Sequence, residues 1–137
     1  MLIAVDSDVL VAALSPHEEH SLIAQHLIRD IASGKHKAVA SSLIYGEVLS
    51  VGTGKQPIDI EDFIEQIRNL STTACDDEIC LRAGELRLKH GSSLRLPDAI
   101  HLVTAMNSKS DLFITNDERL AKKSSEYIPT KLLSEWT

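Results

Sequence analysis

Carboxylates do chemistry when several are brought together, and four in this sequence sit where a fold has reason to gather them: Asp6, Glu47, Asp98 and Asp117. Asp6 follows the apolar run Leu2-Ile3-Ala4-Val5 directly, and Asp117 closely follows Leu112-Phe113-Ile114-Thr115. Read as buried strands, both runs deliver an acid to the carboxyl end of a sheet, where open α/β sheets bind ligands. The plainer alternative is that each acid starts a helix, and Thr115-Asn116-Asp117-Glu118 is itself a capping-box sequence. Glu47 resists that reading. With Ser42 to Val51 helical at ~100° per residue, it falls between Leu43 and Val51, near the middle of the apolar stripe. Asp98 follows Pro97 in a first helical turn, where the helix dipole favours an acid, yet it also borders the stripe of Ala99, Leu102, Val103, Ala105 and Met106.

Inward-facing acids repel one another unless cations hold them together, because an ionised carboxylate taken out of water needs a partner. Mg²⁺ or Mn²⁺ suits such oxygen donors, so all four acids are candidate metal ligands. An ion held there lowers the pKa of a bound water and orients it for in-line attack on phosphorus. In the absence of the ion, neutral substitution of Asp98 or Glu47 is expected to relieve the crowding and raise stability. Other candidates are weaker. His17, His20 and His26 read as solvated positions on one helix, and His101 as a surface or hydrogen-bonded histidine. Ser7, Ser41 and Ser42 lack a base partner, and Gly52-Thr53-Gly54-Lys55 lacks the spacing of a phosphate loop.

The elements that must position these acids alternate along the chain. Strands are expected at Leu2 to Val5, Lys37 to Ala40, Asn69 to Thr73, Leu112 to Thr115 and Tyr127 to Leu132. Ser15-Pro16-His17-Glu18 reads as the capped start of a helix reaching Ala32, which Gly34 ends. Further helices are expected at Ser42 to Val51, Ile58 to Arg68, Asp76 to Lys89 and Pro97 to Asn107, with a short one after Thr115. This alternation implies a mainly parallel sheet covered by helices on both faces, a three-layer α/β/α sandwich.

A length of 137 residues with 43% apolar content fits one domain, residues 1–137, with a real core. No apolar run approaches the ~20 residues that span a bilayer, and the expected location is the cytoplasm, without membrane contact. Cys75 and Cys80 match neither a zinc framework nor a disulfide scaffold and read as reduced thiols. The net charge of −6 argues against a nucleic-acid partner at first sight. Acids committed to a metal inflate that count, however, and the later part of the chain carries Arg82, Arg87, Lys89, Arg95, Lys109, Lys122 and Lys123, while seven acids crowd Asp59 to Glu78. This asymmetry permits an RNA-facing side. Aromatics at 4% exclude a row of base-stacking side chains.

The ordered set of Asp6-Ser7-Asp8-Val9-Leu10 after a strand, helical Tyr45-Gly46-Glu47, Leu96-Pro97-Asp98-Ala99-Ile100-His101 and Phe113-Ile114-Thr115-Asn116-Asp117 resembles the PIN-domain nucleases, especially the VapC-like toxins, over essentially the whole chain. The resemblance implies an α/β/α sandwich and Mg²⁺- or Mn²⁺-dependent endoribonuclease activity on RNA. It implies that Asp6, Glu47, Asp98 and Asp117 match the family's four acids, with Thr115 and Asn116 in support. It implies further a homodimer and a cognate antitoxin protein. Asp8 departs from the neutral residue frequent at its place in the family and stands outside this core set. Two other functions remain open: a haloacid-dehalogenase-like phosphatase, whose nucleophile motif Asp6-Ser7-Asp8-Val9 also resembles, and a non-catalytic α/β interaction module.

Overall fold

The computed structural model describes residues Met1–Thr137. Five short strands, β1 (Leu2–Val5), β2 (Lys37–Ser41), β3 (Leu70–Thr73), β4 (Leu112–Thr115) and β5 (Thr130–Leu132), form one sheet in the order β3-β2-β1-β4-β5. All four pairings are parallel. The helices are α1 (Ser7–Leu14), α2 (Ser21–Ala32), α3 (Leu43–Ser50), α4 (Pro57–Glu65), α5 (Asp77–His90), α6 (Leu96–Asn107) and α7 (Glu118–Ser124).

Strand residues divide between the two faces by the period-2 rule. Ile3, Val5, Ala38, Ala40, Leu112 and Ile114 point into one core, which α1 to α4 cover. Ala4, Val39 and Phe113 point into the other, beneath α5, α6 and α7. Ala4 pairs with Val39 on one side and Phe113 on the other, so the middle of the sheet is apolar on both faces. That is the burial pattern expected of a parallel sheet and the reason its strands read as unbroken apolar runs.

The order reverses about β1: the chain moves outward through β2 and β3, then returns to the other side of β1 as β4. Such a switch point leaves a crevice beyond the carboxyl ends of the two central strands. Asp6 leaves β1 there and Thr115-Asn116-Asp117 leaves β4 there.

One expected element is wrong. No helix runs from Ser15; α1 occupies Ser7–Leu14, burying Val9, Leu10 and Ala12, and α2 begins only at Ser21. Between them Ser15–His20 forms a turn closed by Glu18 N–H to Ser15 O (2.9 Å) and Ser21 N–H to Glu18 O (3.1 Å). Pro16 therefore serves the turn, and the capping-box pattern is overridden by contacts of Glu18 and His20 with Asn116, 98 and 96 residues away. Gly34, at φ +91°, stops α2 as expected. Cys75 and Cys80 are free, with sulfurs 3.1 Å apart. No helix is long and apolar enough to cross a membrane.

Phe113 is fully buried at the centre of the second core. Phe113→Ala is expected to lower the free energy of unfolding by about 3–5 kcal/mol, whereas Ser71→Ala, exposed on a strand near the sheet edge, should change it by less than about 0.5 kcal/mol. Urea unfolding measures both; equal losses would contradict the packing described.

Candidate active site

Asp6 is built by the first strand and the first helix together. Its backbone is extended (φ −97°, ψ −179°) and it takes the N-cap position of α1, yet its side chain makes no capping bond. The carboxylate turns to β4 instead, where Thr115 Oγ1 donates to Oδ2 at 2.5 Å. Oδ1 is buried and has no partner. Burial and then the charge of Asp8 push the pKa up to about 7, against the opposing pull of His101 and of the Thr115 hydrogen bond. A helix-capping role accordingly does not account for Asp6.

Asp117 combines both readings. Its Oδ1 accepts from the backbone N–H groups of Arg119 (2.9 Å) and Leu120 (3.3 Å), as an N-cap should. Its Oδ2 lies 3.9 Å from Arg95 Nη2. Glu118 is the first helical residue, so Thr115 to Glu118 forms no capping box; fully buried Thr115 accepts the Asp117 N–H at 3.1 Å while donating to Asp6. One hydroxyl thus ties the two strand-end acids together.

The helical acids reach the same place. Asp98, in the first turn of α6, accepts from Arg95 Nε at 3.1 Å, and its side chain is only 16% exposed. Burial raises its pKa and prevails over the hydrogen bond and charge of Arg95, with Asp117 adding to the rise. Glu47 faces inward from α3, as the helical wheel requires, and its Oε1 lies 2.5 Å from His101 Nε2. Burial works against its charge, but the His101 hydrogen bond and charge, with Ser7 and Arg95, hold its pKa below the usual range. The pKa of His101 is raised: burial opposes its charge, and the Glu47 bond, then Asp6, Glu47 and Asp98, overcome that.

Two residues rank differently from the sequence reading. Asp8 belongs to the cluster, its pKa raised by burial and by the charges of Asp117, Asp98 and Glu47. His101 is buried in the site and hydrogen-bonded to Glu47, which is the hydrogen-bonded alternative of the sequence reading and not the surface one. Its spacing of three from Asp98 placed both on one helix face, a signal available beforehand. The same spacing holds for Arg95 and Asp98. Asn116 points away from the acids: its Oδ1 meets His20 Nδ1 at 2.9 Å and its Nδ2 donates to Glu18 at 3.4 Å, anchoring the Ser15–His20 turn. His20 is thereby a structural contact, not a solvated side chain. His26 pairs with Asp30 at 3.5 Å on α2.

As the side chains stand, no three acids or histidines converge on one ion position. Arg95 engages Asp98 and Asp117, while His101 engages Glu47, so the protein's own cations offset part of the charge. The donors nevertheless suit a hard divalent cation: they are carboxylates, burial and neighbouring acids raise the pKa values of Asp6, Asp8 and Asp98, and Asp6 keeps a buried oxygen without a partner.

Fold and rim together define an α/β/α protein with a group of acids at its topological switch point. The PIN domain family model matches residues 3–126. This chain belongs to the PIN-domain family. Curated protein sequences give no match. Among solved structures, VapC20 of Mycobacterium tuberculosis, a sarcin-ricin loop cleaving toxin, is similar with a TM-score of 0.73 at 15% identity over 88% of this chain and 94% of that one. VapBC2 from Rickettsia felis, bound to a promoter DNA fragment, gives a TM-score of 0.68 at 14% identity, covering 96% and 98%. DNA-bound VapBC from Salmonella typhimurium gives 0.67 at 17% identity, covering 97% and 99%. The likeness to these structures is one of fold.

The pKa directions separate acids that the sequence treats alike. An acid with a raised pKa is destabilised by its charge, so folding loses stability as pH rises from its ordinary value of 3.8 through the raised one. Glu47, with a lowered pKa, contributes stability above its ordinary value of 4.5 that is lost as pH falls through the lowered one. In chelator at pH 8, Asp98→Asn should therefore melt above the wild type and Glu47→Gln below it, which reverses the sequence expectation for Glu47. Thermal unfolding of the three proteins decides; a gain for Glu47→Gln would contradict the His101 pairing.

Proposed function

We propose that this chain, one PIN-like domain over residues 1–137, is a metal-dependent endoribonuclease that hydrolyses RNA phosphodiester bonds and serves as the toxin of a toxin–antitoxin pair. Membership in the PIN-domain family supports the nuclease reading over a phosphatase or a binding module. The observation that carries it is the buried, unpartnered oxygen of Asp6, whose pKa is raised by burial and by the charges of Asp8 and Asp98. Likeness to VapBC structures supports a cognate antitoxin; a homodimer and a cytoplasmic setting belong to the same proposal.

Asp6, Glu47, Asp98 and Asp117 would hold Mg²⁺ or Mn²⁺, with Asp8 beside them. When bound, such an ion acidifies a water and offsets charge on the reacting phosphate. The rest falls to the chain itself. Thr115 fixes the Asp6 carboxylate through Oδ2 and leaves Oδ1 free to ligate. His101 orients Glu47 from its buried side. Arg95 balances Asp98 and Asp117 and, with an exposed side chain, would meet an anionic substrate beside them. Asn116 acts indirectly by holding the Ser15–His20 turn against the β4 end.

RNA cleavage is expected only with added Mg²⁺ or Mn²⁺, leaving 5′-phosphate and 3′-hydroxyl ends, because water attacks in place of the 2′-hydroxyl. Asp98→Asn should abolish turnover, and Thr115→Val, which removes only the support of a ligand, should lower it by about 10–100-fold. Cleavage of a labelled RNA with and without chelator checks each point. Cyclic 2′,3′-phosphate products, or undiminished activity in excess chelator, would overturn the mechanism.

A further inference from the structure

We infer that a basic cleft leading away from the acid cluster, walled by Ser93, Arg95 and Arg119 and continuing to Lys122 and Lys123, carries the RNA backbone on one side of the scissile phosphate. The inference rests on the ribonuclease reading above. A cleft of about 170 Å³ opens between the start of α6 and the start of α7, with Asp98 and Asp117 on its wall beside Arg95 and Arg119. A second hollow of about 220 Å³ is lined by Ser93, Arg119, Lys122 and Lys123. The two share Ser93 and Arg119, so they form one path that begins at the acids and ends on cations. The step along α7 from Asp117 to Lys122 and Lys123 is on the order of 8 Å, which keeps the next phosphates of a strand seated at the acids within reach.

A bland account of these cations is incomplete. Lys122 and Lys123 occupy the last turn of α7, where the helix dipole favours them. Arg119 is in the first turn, where the dipole disfavours a cation. None of Arg119, Lys122 and Lys123 makes an ion pair within the chain, whereas Arg95 at the inner end is paired with two acids. In a chain of net charge −6, three unpaired cations in one continuous cleft point to an external polyanion. Neither hollow is lined by an aromatic residue, so the cleft positions phosphates and does not read bases.

The test uses full-length protein carrying Asp98→Asn, which holds RNA uncut, and a fluorescent single-stranded RNA oligonucleotide in Mg²⁺. Dissociation constants are measured across a salt series for this parent, for Arg119→Gln/Lys122→Gln/Lys123→Gln added to it, and for Lys37→Gln/Arg68→Gln added to it, a charge loss at the opposite rim of the sheet. The triple variant should bind more weakly, and its log–log salt slope should be shallower by about 2, at roughly 0.7 per lost phosphate contact on a single strand. The opposite-rim pair should match the parent. In cleavage by protein with Asp98 intact, trimming the RNA on one side of the cut bond should raise KM for the wild type but not for the triple variant. Trimming on the other side should affect both alike. An unchanged slope in the triple variant, or an equal loss from the opposite-rim pair, overturns the cleft assignment and leaves the patch to an acidic protein partner. A parent that binds no RNA at any salt, together with wild type that cuts none, overturns the ribonuclease reading itself.

Discussion

The hydrogen bond from Thr115 to Asp6 joins the carboxyl ends of the two strands, β1 and β4, at which the strand order reverses. The same hydroxyl accepts the backbone N–H of Asp117, so two acids 111 residues apart are referred to a single fully buried oxygen. Each of the other acids reaches this point by a helix packed on one face of the sheet, Asp8 and Glu47 from one side and Asp98 from the other. The two cores therefore do more than stabilise. They bring helices from opposite layers to one rim, and the spacing of the acids depends on how both layers sit.

Charge balance at the rim is achieved unevenly. Glu47 has a dedicated partner in buried His101, whose pKa is raised against burial by the Glu47 hydrogen bond and the surrounding acids. Asp98 and Asp117 share Arg95, seven-tenths of whose side chain faces solvent. Asp6 and Asp8 have no cationic partner in contact. An acid group with one fixed pair, one loosely bridged pair and two uncompensated members is arranged for a further positive charge to enter where compensation is least. That local order is lost in the bulk figure of −6, which describes neither the pocket nor the basic cleft beside it.

The turn from Ser15 to His20 shows how a distant contact outweighs a local signal. Ser-Pro-x-Glu is a good helix start, and in isolation it would compete for that role. In the fold, Glu18 and His20 meet Asn116 instead, and the helix waits until Ser21. The exchange places Asn116 in a supporting position behind the site and removes it from direct contact with the acids. The Glu47 charge is likewise decided by a partner 54 residues away.

Legible in the amino-acid sequence were the alternation of strands and helices, the parallel sheet, two acids at its carboxyl rim and two more on inward-facing helical stripes. Those features rest on local periodicity: an apolar run buried on both faces, or an acid on an apolar helical stripe, carries its signal in neighbouring residues. Helix α1 was legible only as the alternative in which Asp6 starts a helix, because its buried Val9, Leu10 and Ala12 gain their weight from packing against α2 and α3. It took long-range packing to bring Asp8 into the cluster, to bury His101 against Glu47 and to set Arg95 between Asp98 and Asp117. The reason is range: backbone propensity acts over a few residues, whereas the charge state and orientation of a buried carboxylate are set by whichever groups the folded chain brings within a few ångströms, wherever they lie in sequence.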